Sequence, residues 1–418
     1  MTRKPFFSIV IPTYNRSADL RFALFCILRQ SFSDYEIVIS DNCSTDDTKE
    51  VVKKLNNKKI RYFRNPENLV LDVNQRKAVE LANGKYVFFH GDDDFILYVN
   101  TLDIIHKTII KHKPGYVRVN YVSLSLDKKR VFAFKVNKPF LRNKYVPPLL
   151  NNQKALSYII DSDHYFITGI IFKNTLPRRI RMVDADPCPW IDILFYAVKN
   201  YGAYFIAQPH IVASWSRRKI KRDAEHHLFT VASGTLKTQN YFNAVKKKLD
   251  PQVYTVFLHK ELMGIYVLLF PVIKINVGNR IMLQIASKIR SLDPTMSHDL
   301  RYWLYLFVSL VLPRSLLRIA RDMYLYVYTL VSKVEHNDEI VKTLKGLKRE
   351  YSKGLQPALM GFLGYGNDTG GQRGDMGNHP VYQAQQPWKR AKLYARDFSN
   401  LKTIKLHNVS QGSRCKDA

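Results

Sequence analysis

Residues 85–94 read Lys-Tyr-Val-Phe-Phe-His-Gly-Asp-Asp-Asp, a short apolar run that stops in three consecutive carboxylates. Tyr86 to Phe89 are aromatic or β-branched and follow Gly84, which predicts a buried strand. Three adjacent anions repel one another, so Asp92, Asp93 and Asp94 are best tolerated where a cation is held among them. Hard oxygen ligands of this kind suit Mg²⁺ or Mn²⁺, and such an ion would in turn hold a diphosphate. In open α/β sheets ligands collect at the carboxyl ends of strands, which is where the triplet falls. Further along, Arg217 and Arg218 follow a strand-like run at 211–215 and could clamp a pyrophosphate; a solvated basic loop is the plain alternative. The pair His226-His227 lacks partners at zinc spacing, and Cys26, Cys43, Cys188 and Cys415 are scattered, without a metal-type pair or a disulfide ladder.

The elements around the triplet alternate strand and helix. Ser8 to Ile11 predicts a strand ending at Pro12, and Ser17 is placed to cap a helix with Leu20, Ala23, Leu24, Ile27 and Leu28 on one side. Tyr35 to Ile39 predicts a second strand, followed by Ser40-Asp41-Asn42, after which Thr45 or Asp46 can cap a helix through Val51, Val52 and Leu55. Ile60 to Phe63 supplies a third strand, and a helix from about Val73 to Ala82 is closed by Gly84 as its C′ residue. This rhythm predicts a mostly parallel sheet whose right-handed crossovers bring the loops at 12–16, 41–46 and 91–94 onto one rim.

On those residues the chain resembles the nucleotide-sugar-binding half of family 2 glycosyltransferases of GT-A fold. The resemblance rests on SIVIPTYNR, EIVISDNCSTDDT, the start Asn68-Leu69, AVELANGKYVFF and GDDD, and spans roughly residues 5 to 215. Within that family it is most similar to bacterial transferases of the abequosyltransferase type, which build O-antigen or capsular polysaccharide. The resemblance implies an α/β, Rossmann-like GT-A domain over 1–221. It places Pro12, Tyr14 and Asp41 on the nucleotide, with Asp92 and Asp93 also against the donor. The metal, Mg²⁺ or Mn²⁺, falls to Asp92 or Asp94 with Asp93 in support. The commoner family form is Asp-x-Asp-Asp, and alignment on Tyr86–Phe89 sets Gly91 at its first Asp. An Arg usual in the preceding helix is replaced, with Gln75 at its place and Arg76 adjacent.

An inverting displacement also gains from a carboxylate that takes the acceptor's proton. Similar enzymes keep this base at the start of a helix leading to a Gly, which fits Asp192 and Gly202, with Asp184 and Asp186 in reserve. A helix-start charge without chemistry is the ordinary reading of Asp192. In similar enzymes the acceptor and donor-sugar pocket lies near 164–172, which makes His164 a pocket candidate.

Composition frames the rest. Lys plus Arg outnumber Asp plus Glu by 65 to 35, a net charge of +30, so an anionic partner is expected. Residues 222–355 turn helical and basic. The apolar stretches Leu262–Ile273 and Tyr302–Leu312 are short of the roughly 20 residues a spanning helix needs and read as core helices. From Leu316 to Val331, Arg314, Arg318 and Arg321 share one face, opposite Leu317, Ala320, Tyr324, Val327 and Val331, the pattern of a helix lying on an anionic membrane surface. Seven of the 18 glycines fall between Gly361 and Gly377, so 356–418 reads as a flexible tail. The N-terminus lacks a signal-peptide core, which with the scattered cysteines predicts a cytoplasmic protein, peripheral on the inner face of the membrane. The expected partners are a nucleotide-sugar donor and a glycan acceptor on a polyprenyl diphosphate. The rival readings are a basic nucleic-acid-binding protein, for which no recognised module is present, and an inactive GT-A-fold scaffold at the membrane.

Overall fold

Strand β1 (Phe7–Thr13) illustrates how the sheet is built: Ile9 and Ile11 point to one face, Val10 to the other, and all three are fully buried. A strand covered on both faces reads as a continuous apolar run, as this one does. In the computed structural model of the 418-residue chain, the residues described are 3–69, 71–127, 130–135, 142–148, 164, 166–174, 188, 190–213, 236, 238–331 and 337–354. Expectations for Asp184, Asp186, Arg217, Arg218 and the tail at 356–418 lie outside them.

β1, β2 (Tyr35–Asp41), β3 (Ile60–Arg64) and β4 (Tyr86–Phe89) run parallel in the spatial order β3-β2-β1-β4. Helices α1 (Ser17–Leu28), α2 (Thr48–Leu55) and α3 (Leu71–Glu80) make the crossovers. Beyond β5 (Phe95–Ile96) and α4 (Thr101–His112) come β6 (Tyr116–Asp127), β7 (Arg130–Lys135), β8 (Lys144–Val146) and β9 (Ile170–Lys173), then α5 (Ile191–Tyr201) and β10 (Ala203–Ala213). The sheet continues from β4 as β9-β6-β10-β5, where β9 is antiparallel to both neighbours and β10 is parallel to β6. The parallel half is the expected α/β architecture.

One face of the sheet packs Leu20, Leu24 and Ile27 of α1 and Leu102, Ile105 and Ile109 of α4 against Ile9, Ile37 and Phe88. On the other face Val10, Val87 and Phe89 meet Leu194 and Val198 of α5. That second core runs on without a break into a helical layer of α6 (Gln239–Lys246), α7 (Pro251–Leu262), α8 (Phe270–Val277), α9 (Asn279–Leu292) and α10 (Leu300–Val311). Helix α11 (Arg314–Val331) follows, and α12 (Asn337–Gly354) returns to the sheet, where Ile340, Leu344 and Leu347 cover Phe95 and Val212.

Several local expectations change. Arg16, not Ser17, is at the N-cap of α1, and the Ser17 amide donates to Asp46 Oδ2 at 2.9 Å. At α2 the N-cap is Asp47, while the Thr48 amide donates to Asp46 Oδ1 at 3.1 Å; Asp46 thus serves both helix starts. Gly84 is not a cap: its amide donates to Ser8 Oγ at 2.7 Å, and a Cβ there would lie 2.6 Å from the Ser8 nitrogen. The stretch 262–273 is a core element, broken by a π-turn at Met263–Val267. Helix α10 is not: six of its twelve residues are apolar and exposed. On α11, Leu317 is buried, and the apolar residues facing outward opposite the arginines are Leu316, Ile319 and Met323. Among the described residues no single helix is long and apolar enough to cross a membrane.

Candidate functional site

The three parallel strands β1, β2 and β4 end on one rim, and their loops bond to each other there. Thr13 Oγ1, the last residue of β1, donates to Asp92 Oδ2 at 2.8 Å. Three residues on, Arg16 pairs through Nη1 with Asp93 Oδ2 and lies 3.7 Å from Asp92 Oδ1. Asn15 takes a left-handed conformation at φ 53°, which Asn tolerates better than most residues. Its amide donates to Ser44 Oγ at 2.9 Å, and its Oδ1 accepts the Thr45 amide at 2.7 Å. First, second and fourth strand ends are therefore stitched together by side chains.

The third carboxylate is held from the opposite side. Because β9 is antiparallel to β4, with Phe89 opposite Ile170, the residues just before β9 arrive at the end of β4. Thr168 Oγ1 accepts the Gly91 amide at 2.8 Å and donates to Asp94 Oδ2, while its carbonyl accepts Nη1 of the fully buried Arg118 at 2.7 Å. Gly91 is required by this arrangement: a Cβ there would sit 2.6 Å from Asp94 Oδ2 and 3.0 Å from Thr168 Oγ1. The family's commoner Asp at this position would displace Asp94. We expect Gly91→Ala to lower the melting temperature and to weaken Mn²⁺ binding at least tenfold, measured by thermal unfolding and metal titration; wild-type metal affinity would show that Asp94 has room to move.

Burial sets the charge of this cup. Desolvation pushes Asp92 from about 3.8 up to about 7, against the opposing pull of Arg16 and the Thr13 hydroxyl. Burial disfavours the Arg16 cation, yet Asp92 and Asp93 outweigh it and raise its pKa above the ordinary arginine value. His90, fully buried behind the triplet, is pushed down to about 4 by desolvation and is neutral. Its Nδ1 lies 2.7 Å from the Gly91 carbonyl, which can only accept, so Nδ1 carries the proton.

Asp41 closes β2 as expected and is fully buried. Its Oδ1 accepts the Ser44 amide at 2.9 Å and its Oδ2 accepts the Tyr62 hydroxyl, with Arg64 Nε at 3.9 Å. Behind it, Asn42, Asn65 and Asn74 form a buried amide network: Asn65 Nδ2 donates to Asn74 Oδ1 at 2.8 Å and Asn42 Oδ1 accepts the Leu69 amide at 2.8 Å. The network pins the loop at 65–69 to the end of β2. Tyr14 is 42% exposed at the mouth of the rim, where a ring can lie against a planar ligand, and Pro12 is half-buried beside it.

The two downstream candidates have other neighbours. Asp192 lies in the first turn of α5, which ends at Gly202, and its Oδ1 is 3.1 Å from Lys248 Nζ. His164 is 1% exposed; its Nε2 is 2.8 Å from the Tyr241 hydroxyl and its carbonyl accepts Trp190 Nε1 at 2.9 Å. That places the ring at the seam between sheet and helices, against Tyr241 of α6. Sequence reasoning passed over Thr13, Arg16, Thr168 and Arg118. Arg16 was visible within the first loop; Thr168 and Arg118 become site residues only through the antiparallel pairing of β9.

The donor chemistry of the cup suits Mg²⁺ or Mn²⁺: buried carboxyl oxygens backed by hydroxyls, with three aspartates beside the Arg16 guanidinium. Among the described residues no group of three or more His, Cys, Asp or Glu is placed to hold a metal ion by itself. That fits an ion of this class, which is commonly held by one or two carboxylates with substrate phosphates completing the shell. Arg16 occupies part of the cup, but its side chain is 30% exposed and can swing outward.

The strand-end carboxylate cup sits at the rim of the parallel half of an α/β sheet. Residues 8–130 match the family model described as Glycosyl transferase family 2. The chain is 40% identical over 97 residues to the GalNAc(5)-diNAcBac-PP-undecaprenol beta-1,3-glucosyltransferase of Campylobacter jejuni, covering 22% of this chain and 31% of that protein. It is 34% identical over 114 residues to a PGL/p-HBAD biosynthesis glycosyltransferase of Mycobacterium bovis, covering 27% and 44%. With the putative colanic acid biosynthesis glycosyl transferase WcaA of Escherichia coli it shares 35% over 96 residues, covering 22% and 34%. The matches thus span less than half the length of these relatives. Among solved structures, S. aureus TarS 1–349 superposes with a TM-score of 0.48 at 19% identity, over 84% of this chain and 92% of that one.

Proposed function

We propose that the chain is an inverting, metal-dependent glycosyltransferase that moves a sugar from a nucleotide-sugar donor to a glycan acceptor carried on a polyprenyl diphosphate, in bacterial surface polysaccharide assembly. The observation that carries this reading is the convergence of Thr13, Arg16 and Thr168 on the Asp92-Asp93-Asp94 triplet at one strand rim. Within it, Pro12, Tyr14 and Asp41 hold the nucleotide, with Asp92 and Asp93 against the donor. Asp92 and Asp94 hold Mg²⁺ or Mn²⁺, which when bound offsets the charge gathering on the departing diphosphate. Asp192 takes the proton of the acceptor hydroxyl as that oxygen attacks the anomeric carbon; the bond to the diphosphate oxygen breaks on the opposite face, and the configuration inverts. Lys248 Nζ, 3.1 Å from Asp192 Oδ1, orients that carboxylate at the start of α5. Arg217 and Arg218 are proposed as a diphosphate clamp. Residues 1–221 act as the GT-A domain, 222–355 as the part facing the inner leaflet of the cytoplasmic membrane, and 356–418 as an extension.

A donor screen by thermal unfolding tests the reading. With Mn²⁺ present, one of the UDP-, GDP-, CDP- or dTDP-sugars should raise the melting temperature by on the order of 5 °C at 100 times its Kd, and Asp92→Asn should erase the shift. If all of these donors leave the wild-type transition where it was, the donor assignment fails.

A further inference from the structure

Helix α10 turns only a narrow face inward: Tyr302, Leu306 and Ser309 are buried. Around the other side Leu300, Trp303, Leu304, Phe307, Leu310 and Val311 are exposed, at spacings of three, four, seven, ten and eleven residues that form one continuous stripe. The exposures are large, 84% for Leu300 and 64% for Phe307. After Pro313 the chain enters α11, which adds Leu316, Ile319 and Met323 on a single face, 49% to 62% exposed. Isolated apolar surface residues are ordinary, but nine large ones on two consecutive helices make a patch that marks an interaction site.

The polar residues around the patch state what it meets. Arg314 and Arg318 are exposed and Arg321 half-buried on the side of α11 away from Ile319 and Met323, and Arg290 of α9 lies 5.6 Å over the Trp303 ring. Trp303 keeps its ring outward while Nε1 donates to the Ser297 carbonyl at 2.8 Å, the amphipathic placement favoured at a membrane boundary. Along 300–324 there are four arginines, Arg301, Arg314, Arg318 and Arg321, against the single carboxylate Asp322, in a chain of net charge +30. A second copy packed on the stripe would leave these cations unneutralised, whereas anionic headgroups complement them. At 12 residues, about 18 Å, α10 is too short to span a bilayer.

We infer that the consecutive helices α10 and α11 are a monolayer anchor: their exposed apolar residues enter one leaflet of an anionic lipid bilayer while the arginines on their other sides bind headgroup phosphates. The inference gives a place to the membrane-facing part of the function proposed above and rests on that reading only for its purpose, since lipid binding by the stripe needs no donor or catalysis. It also extends the anchoring role from α11 alone to α10, which carries six of the nine exposed apolar residues.

The test is flotation of the purified full-length chain with vesicles of phosphatidylglycerol and phosphatidylethanolamine, beside vesicles of phosphatidylcholine alone. The expected result is co-flotation with the anionic vesicles, at least tenfold weaker for the double variant Leu304→Ser/Phe307→Ser, and weaker at low salt for Arg318→Glu. Both serines would stand at exposed positions, so the melting temperature and any donor-induced shift should match wild type. The double variant floating as well as wild type would overturn the anchor. So would a wild-type dimer in light scattering that the double variant converts to monomer without any vesicle binding, because the stripe would then be covered by a second copy. A blank donor screen with intact flotation would sink the transferase reading and leave the anchor standing.

Discussion

Asp94→Asn is expected to lower sugar transfer by on the order of 10²–10³-fold while the protein stays folded, because the substitution keeps the shape and removes the charge. Asp94 is 2% exposed and receives the Thr168 hydroxyl, a bond that the Asn side-chain oxygen can still accept. What Asn cannot do is place a negative oxygen where a divalent ion and a diphosphate are to be balanced. Asp92→Asn should behave alike in transfer. It should be neutral or mildly favourable for stability, since burial already drives Asp92 toward its uncharged form. The two measurements are steady-state transfer with nucleotide release as readout, and Mn²⁺ affinity by calorimetry without donor. Retained turnover in Asp94→Asn together with unchanged metal affinity would remove the triplet from the chemistry.

The parallel half of the fold was legible because its pattern is local. The runs Ser8–Ile11 and Tyr35–Ile39 lengthen by three and two residues into β1 and β2, and the crossover rule then forces Asp41 and Asp92–Asp94 onto one rim. The rest of the cup was not legible, since Thr168 and Arg118 join it only through β9, which runs against β4 and β6. No periodicity in a four-residue strand reveals its direction or its neighbours. Helix caps failed for a related reason: Ser17 has the residue type of a cap, but Asp46, 29 positions away, reaches its amide first. Helix α10 was misjudged because an all-apolar helix reads as core from composition, and which side is covered depends on α8 and α9. Gly84 and Gly91 show the same limit from the other side. Each is fixed by a close approach from across the fold, Ser8 of β1 in one case and Thr168 just before β9 in the other, which sequence spacing does not display.

Arg16→Ala should be destabilising, and by an amount that depends on pH. In the unliganded protein Arg16 is the cation seen among the triplet, paired with Asp93 and 3.7 Å from Asp92. Removing one partner of such a largely buried group leaves uncompensated charge and costs roughly 3 kcal/mol. The sign follows from Asp92, whose pKa is about 7 in the fold against about 3.8 ordinarily. Between those values the folded protein holds a proton that the unfolded chain has released, so this group's contribution to stability falls as pH rises. Without Arg16 the pKa moves higher still, and the loss continues past pH 7. The gap in unfolding midpoint between wild type and Arg16→Ala should therefore be small near pH 5, where only Asp93 misses its partner, and widest near pH 8. Mn²⁺ added at pH 8 should narrow it, because a divalent ion can take over the neutralisation that the guanidinium provided. A gap independent of pH and unmoved by Mn²⁺ would mean that Arg16 acts through packing alone, and that the cup is a structural ion-pair cluster without room for a metal.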